Sequence, residues 1–217
     1  GVISKRIPVI VIDPGHGGID PGSTSGRIFE KHITLAAAKE MKKHLESLGR
    51  YKVFLTRTKD RFIRLRKRRT IARKYKADLF VSLHADAIRN KNIRGLSIYT
   101  LSEKASDKEA AYLAEQENKA DLIAGIDLST ESKEVANILI DLAQRETMNE
   151  SSRFAYELVK YIRKFSRTLS NAHRFAGFAV LKSPDMPSIL IEMGFLSNRG
   201  DEKVLSNPTR RAKLARI

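Results

Sequence analysis

Two histidines and a glutamate each close an apolar run of this chain. His16 follows Pro8-Val9-Ile10-Val11-Ile12-Asp13, His84 follows Asp78-Leu79-Phe80-Val81-Ser82-Leu83, and Glu192 ends Ser188-Ile189-Leu190-Ile191. Imidazole is a common metal ligand, and two histidines with one carboxylate and an open position form a catalytic zinc site. A further carboxylate beside such a site can take a proton from water and pass it to a leaving amine. The chemistry suggested is metal-assisted hydrolysis, with His16 and His84 as ligands and Glu192 as acid/base.

Each candidate also has a plainer reading. His16 sits in Asp13-Pro14-Gly15-His16-Gly17-Gly18, where glycines allow positive φ and close backbone approach. A phosphate-cradling turn would look similar, but neither the dinucleotide fingerprint nor the P-loop lysine is present. A lone His84 would be read as structural; paired with His16 at an equivalent strand end it reads as a ligand. For the third ligand, spacing leaves Glu30, Asp20 and His32 open. Glu30 heads a helix, where it would also complement the dipole. Asp13 and Asp86 suit the orientation of the imidazoles. Glu192 could simply be ion-paired, although a carboxylate ending so apolar a strand is costly to bury without a partner or purpose. The abundance of Lys and Arg argues against an elevated pKa for it.

These residues need a scaffold that gathers strand ends. Strands are predicted at Val9–Ile12, Tyr51–Leu55, Leu79–Leu83, Leu96–Tyr99, Phe178–Leu181 and Ser188–Ile191. Helices are predicted at Lys31–Leu48, with apolar spacing Ile33, Ala36, Ala37, Met41, Leu45 and Leu48, and over the basic stretch Phe62–Lys76. Strands alternating with helices predict an α/β fold: a twisted, mostly parallel six-stranded sheet with helices on both faces. In such sheets ligands bind outside the carboxyl ends of the strands. The segment from about 102 to 174 breaks the rhythm and reads as an inserted helical segment, with helices near 106–119, 132–146 and 151–166. One domain over residues 1–217 is the expectation.

Length and composition agree. A chain of 217 residues can bury a full core. No apolar run approaches the roughly 20 residues that span a bilayer, and no signal peptide is visible at the start. With no cysteine, thiol catalysis, zinc–thiolate sites and disulfides are excluded. The 41 Lys and Arg against 25 Asp and Glu give a net charge of +16, a field that attracts polyanions. The densest basic block, Lys59 to Lys76, reads first as the solvated face of a helix, with Phe62, Leu65, Ala72 and Tyr75 inward. No nucleic-acid-binding signature accompanies it, so no nucleic-acid partner is expected.

At Val11-Ile12-Asp13-Pro14-Gly15-His16-Gly17-Gly18, Glu30-Lys31, Ala77 to Asp86 and Pro184 to Asn198, the sequence resembles the zinc-dependent N-acetylmuramoyl-L-alanine amidases that cleave septal peptidoglycan. The resemblance implies one zinc per chain on His16, Glu30 and His84, with Glu192 catalytic. It implies a peptidoglycan substrate, a role in cell division and a periplasmic location, the export signal being absent here. It also implies that an inserted helix blocks the zinc until an activator protein withdraws it. Glu131, Val135, Leu139, Leu142 and Glu146 share one helical face, which places that helix at about 130–149, with Glu131, Glu134 or Glu146 as the blocking carboxylate. A monomer is expected. The alternatives are a zinc carboxypeptidase and a non-catalytic zinc module that binds the wall.

Overall fold

The structure is a computed structural model that describes residues 6–125 and 137–217. Its centre is a six-stranded sheet in the order β4-β1-β5-β8-β6-β7. The strands are β1 (Val9–Pro14), β4 (Lys52–Leu55), β5 (Leu79–His84), β6 (Leu96–Leu101), β7 (Thr168–Ala176) and β8 (Ser188–Glu192); β2 (Thr24–Ser25) and β3 (Ile28–Phe29) form a separate small hairpin. All pairings in the main sheet are parallel except that of β6 with β8.

The strands are apolar on both sides because both faces are covered. On β1, Val9 and Val11 enter one core while Ile10 and Ile12 pack into the other. The first layer contains α1 (Glu30–Ser47), α4 (Asn137–Ile162), α5 (Arg199–Leu205) and α6 (Pro208–Ala215). The second contains α2 (Leu65–Lys74) and α3 (Lys108–Asn118). Helix α4 buries Ala155, Val159 and Ile162, spaced four and three apart, so that one stripe faces the sheet.

Register places the chemistry. Pro14 lies opposite Leu83 and His84 opposite Glu192, so the carboxyl ends of β1, β5 and β8 stand side by side. Because β6 runs the other way, its Ser97 also faces Glu192.

Two expectations change. The predicted strand Phe178–Leu181 contains instead a 3-10 turn at Ala179–Leu181, and the sixth strand is β7. The edge strand β7 carries Asn171, His173 and Arg174, and only alternate residues of its second half are buried, which blurs the apolar signal. The helices expected on either side of Asn149 are one helix, α4. Ser151 does not break it, because its hydroxyl donates to the Thr147 carbonyl (2.6 Å) and accepts from the Ser188 N–H (2.9 Å).

Candidate active site

The turn after β1 carries His16 in a left-handed conformation, φ 61°, which costs a non-glycine residue energy and needs outside support. Two buried arginines supply it. Arg68 donates to the carbonyls of His16 (2.9 Å) and Pro14 (2.8 Å) and pairs with Asp13 at 2.9 Å. Arg57, fully buried, donates to the carbonyls of Pro14, Gly15, Lys31 and Lys59 and to the Thr34 hydroxyl. It thereby ties the His16 turn to α1, which begins with Glu30. Burial, then the neighbouring Arg68, push the Arg57 guanidinium down to about 10.

His16 Nδ1 lies 2.8 Å from Asp20 Oδ2. That contact favours the tautomer protonated at Nδ1 and leaves the Nε2 lone pair free to accept or to bind a cation. Nε2 lies 3.1 Å from Glu30 Oε2, and His84 Nδ1 lies 3.2 Å from Glu30 Oε1. The two rings meet edge-on, centroids 5.0 Å apart. Glu30 is fully buried and held by the N–H groups of Ser23 and Ala85, both at 2.8 Å. Gly15 makes room for this packing, since a Cβ there would fall 2.5 Å from His84 Cε1.

Glu192 is fully buried, and its Oε2 accepts from the Asp86 N–H at 3.1 Å. No cation neutralises it among the described residues. Burial, then the charges of Asp86 and Glu30, push its carboxyl well above the usual range, contrary to the expectation drawn from the basic composition. Burial and the charges of Glu30 and Glu117 push Asp86 up as well. Two carboxyls this close cannot both ionise cheaply. Opposing effects act on His16 and Glu30: burial disfavours charge on His16, but Glu30 and Glu117 outweigh it and raise the imidazole, while the imidazoles hold Glu30 well below its usual range against burial.

The structure thus brings His16, Glu30, His84 and Glu192 together. Of the rivals, Asp20 orients His16 and His32 is exposed. Neither Asp13 nor Asp86 hydrogen-bonds an imidazole: Asp13 accepts from Thr56, Ser82 and Arg68, and Asp86 accepts from the Ser23 hydroxyl. Glu131 and Glu134 lie outside the described residues, and Glu146 is exposed on α4. Besides Asp20 and Glu30, a further described carboxylate lies beside the imidazoles, Glu117 on α3. Its Oε2 is 3.2 Å from His84 Nδ1 and its Oε1 is 3.6 Å from His16 Nε2. Glu117 continues the buried stripe Ala110, Leu113 and Ala114, so its sequence signal was a carboxylate on the apolar face of a helix.

Among the described residues, His16 Nε2, His84 Nδ1, Asp86 Oδ2 and Glu192 Oε1 are buried without a hydrogen-bond partner. Such orphans are rare in folded proteins unless an ion or ligand satisfies them. The nitrogen and oxygen donors, with no sulfur, fit a zinc ion.

The sequence pattern of the N-acetylmuramoyl-L-alanine amidases matches residues 10–217. The chain belongs to this family. It is 42% identical over 212 residues to N-acetylmuramoyl-L-alanine amidase AmiC of Neisseria meningitidis, covering 97% of the chain and 50% of that protein. It is 40% identical over 214 residues to AmiA of Salmonella typhimurium, covering 98% of the chain and 73% of that protein. The chain spans about half the length of several of its curated relatives, AmiC of Escherichia coli among them. The fold matches the solved N-acetylmuramoyl-L-alanine amidase of Clostridium difficile 630 (TM-score 0.64, 25% identity, 96% of this chain and 90% of that one). AmiC2 of Nostoc punctiforme matches with TM-score 0.62 at 26% identity, over 97% and 92% of the two chains. This amidase-family sheet is therefore the scaffold expected from the strand pattern.

Proposed function

We propose that the domain hydrolyses the amide between N-acetylmuramic acid and L-alanine in peptidoglycan, using one zinc ion held by His16, Glu30 and His84. The observation that carries this reading is the convergence of two unpartnered imidazole nitrogens and a buried carboxylate beside Glu192. Zinc in such a site acts as a Lewis acid on the scissile carbonyl and makes water more acidic.

The chain's own groups handle the protons. Glu192, held at Oε2 by the Asp86 N–H, has Oε1 unengaged. Oε1 is thus free to accept a proton from the attacking water and return it to the departing alanine nitrogen. Asp20 keeps the His16 ring oriented, and Arg57 and Arg68 hold its backbone against strain.

We further propose that α3 keeps the domain inactive, with Glu117 in the position that substrate and water require, and that an activator protein withdraws it. The contact of Glu117 with both imidazoles supports this reading. The substrate sets the place of action, the periplasm, and wall cleavage there suits cell separation.

Purified sacculi test the hydrolysis. Release of intact stem peptide should require zinc and should fall roughly a hundred- to ten-thousand-fold in Glu192→Gln with metal content unchanged. Loss of a terminal amino acid instead would favour a carboxypeptidase, and full activity in Glu192→Gln would remove the assigned proton carrier.

A further inference from the structure

A second cleft, about 800 Å³, opens between the Thr24–Ser25 strand, the loop after β5 and the start of α5. It adjoins the catalytic cluster, because its wall includes Ala87, next to the Asp86 whose N–H holds Glu192. Three cationic side chains line it: Lys91, Arg94 and Arg199. The carboxylate in its lining, Glu202, accepts from the Ser25 hydroxyl at 2.9 Å.

Arg94 is set in place before any ligand arrives. Its Nε lies 3.5 Å from Asp201 Oδ1, and its guanidinium rests on Gly200, where a Cβ would fall 2.5 Å from Cζ. Asp201 is itself fixed by the N–H groups of Gly95 (2.8 Å) and Phe195 (3.0 Å). The Lys91 carbonyl accepts from the Asn198 side chain at 2.7 Å, which ties the β5–β6 loop to the loop after β8. Among the described residues neither Lys91 nor Arg199 has a carboxylate within 4.0 Å. The cleft is therefore a cationic cup whose positive charge is only partly balanced.

We propose that this cleft is a carboxylate-binding subsite for the peptide half of the substrate. The inference rests on the amidase reading and deepens it. Of the two halves joined by the scissile amide, the N-acetylated sugar carries no ionised group, whereas the stem peptide carries free carboxylates. A planar guanidinium matches a carboxylate in geometry as well as charge. Lys91 and Arg199, on mobile stems, add charge without dictating one pose.

Calorimetric binding of two soluble probes to the zinc-loaded chain tests the proposal: an N-acetylated stem tripeptide with free carboxylates, and the same peptide as its carboxamides. The wild-type chain should bind the acid form about tenfold more tightly, the size of one charge-assisted hydrogen bond. Lys91→Gln and Arg94→Gln should each cut affinity for the acid form several-fold and leave the carboxamide unaffected. Lys91 is exposed on a loop, so its variant keeps the fold, which an unchanged unfolding midpoint verifies. Equal binding of the two peptides, no detectable binding of either, or full discrimination retained in both variants overturns the subsite. Selective binding of the acid peptide by a chain that releases no stem peptide from sacculi would keep the subsite and refute the hydrolysis.

Discussion

Replacing Glu117 by alanine tests the proposed inhibitory contact. Helix α3 is docked by a short stripe: Ala110, Leu113 and Ala114 are at most 4% exposed, and Glu117 follows one turn later. At its other end the N-cap Asp107 pairs with Arg174. Burying Leu113 contributes about 1.5–3 kcal/mol, and the two alanines contribute less. The Glu117 carboxylate lies 3.2 Å from His84 Nδ1 and 3.6 Å from His16 Nε2, an ion-pair contact without hydrogen-bond geometry, and a close charge pair of this kind is worth on the order of 1.5–3 kcal/mol. Glu117 thus supplies a share of the docking energy comparable with Leu113. At about 1.4 kcal/mol per tenfold, its removal should raise the open fraction, and with it basal release of dye from labelled sacculi, roughly ten- to a hundred-fold. Zinc content measured on the same preparation completes the assay. A folded Glu117→Ala chain with full zinc and wild-type basal activity would refute the inhibitory role. Loss of zinc and activity together would make Glu117 a structural ligand instead.

Gly15→Ala would place a methyl 2.5 Å from His84 Cε1 and 2.8 Å from the Leu83 carbonyl, so zinc affinity by chelator competition should fall about tenfold or more; unchanged affinity would mean that the turn yields freely. Arg57→Lys keeps a charge but not the five hydrogen bonds made to the His16 turn, α1 and Lys59, and urea unfolding should show a loss of about 2–4 kcal/mol. Asp13 predicts an acid dependence. Burial pushes its carboxyl up, but Arg68 and the hydroxyls of Thr56 and Ser82 outweigh this and hold it below its usual range. A depressed folded pKa means stability that is present at neutral pH and is lost as pH falls below about 4 toward the folded value. Urea midpoints measured downward from neutral pH should therefore fall more steeply for the wild-type chain than for Asp13→Asn, and parallel curves would contradict the sign.

Zinc removal should also be visible without any substrate. Among the described residues His16 Nε2 and His84 Nδ1 are buried and have no hydrogen-bond partner. Chelation should lower the thermal midpoint by an amount that grows with the free zinc concentration of the reference sample, as linkage requires. A midpoint that does not respond to zinc would contradict a metal site at these residues.

Much of the positioning was legible in the chain itself. Apolar runs that end in His84 and Glu192 specify strands buried on both faces, and a glycine-rich turn after Ile12-Asp13 specifies where His16 leaves the sheet. These are local signals, set by side-chain period and by the backbone freedom of glycine, and they survive without knowledge of the fold. The register of β5 against β8, which sets His84 opposite Glu192, is a long-range pairing that no local pattern encodes. The same limit applies to Arg57 and Arg68: in sequence they belong to a basic stretch, and only packing shows that they are buried clamps on the His16 turn. Of the carboxylates expected to block the site, Glu131 and Glu134 lie outside the described residues; Glu117, not among those expected, lies beside the imidazoles because α3 packs on the second face of the sheet. Residue types and their spacing pointed to the chemistry; tertiary packing chose which charges face the two imidazoles, because that choice depends on groups far apart in sequence sharing one small buried volume.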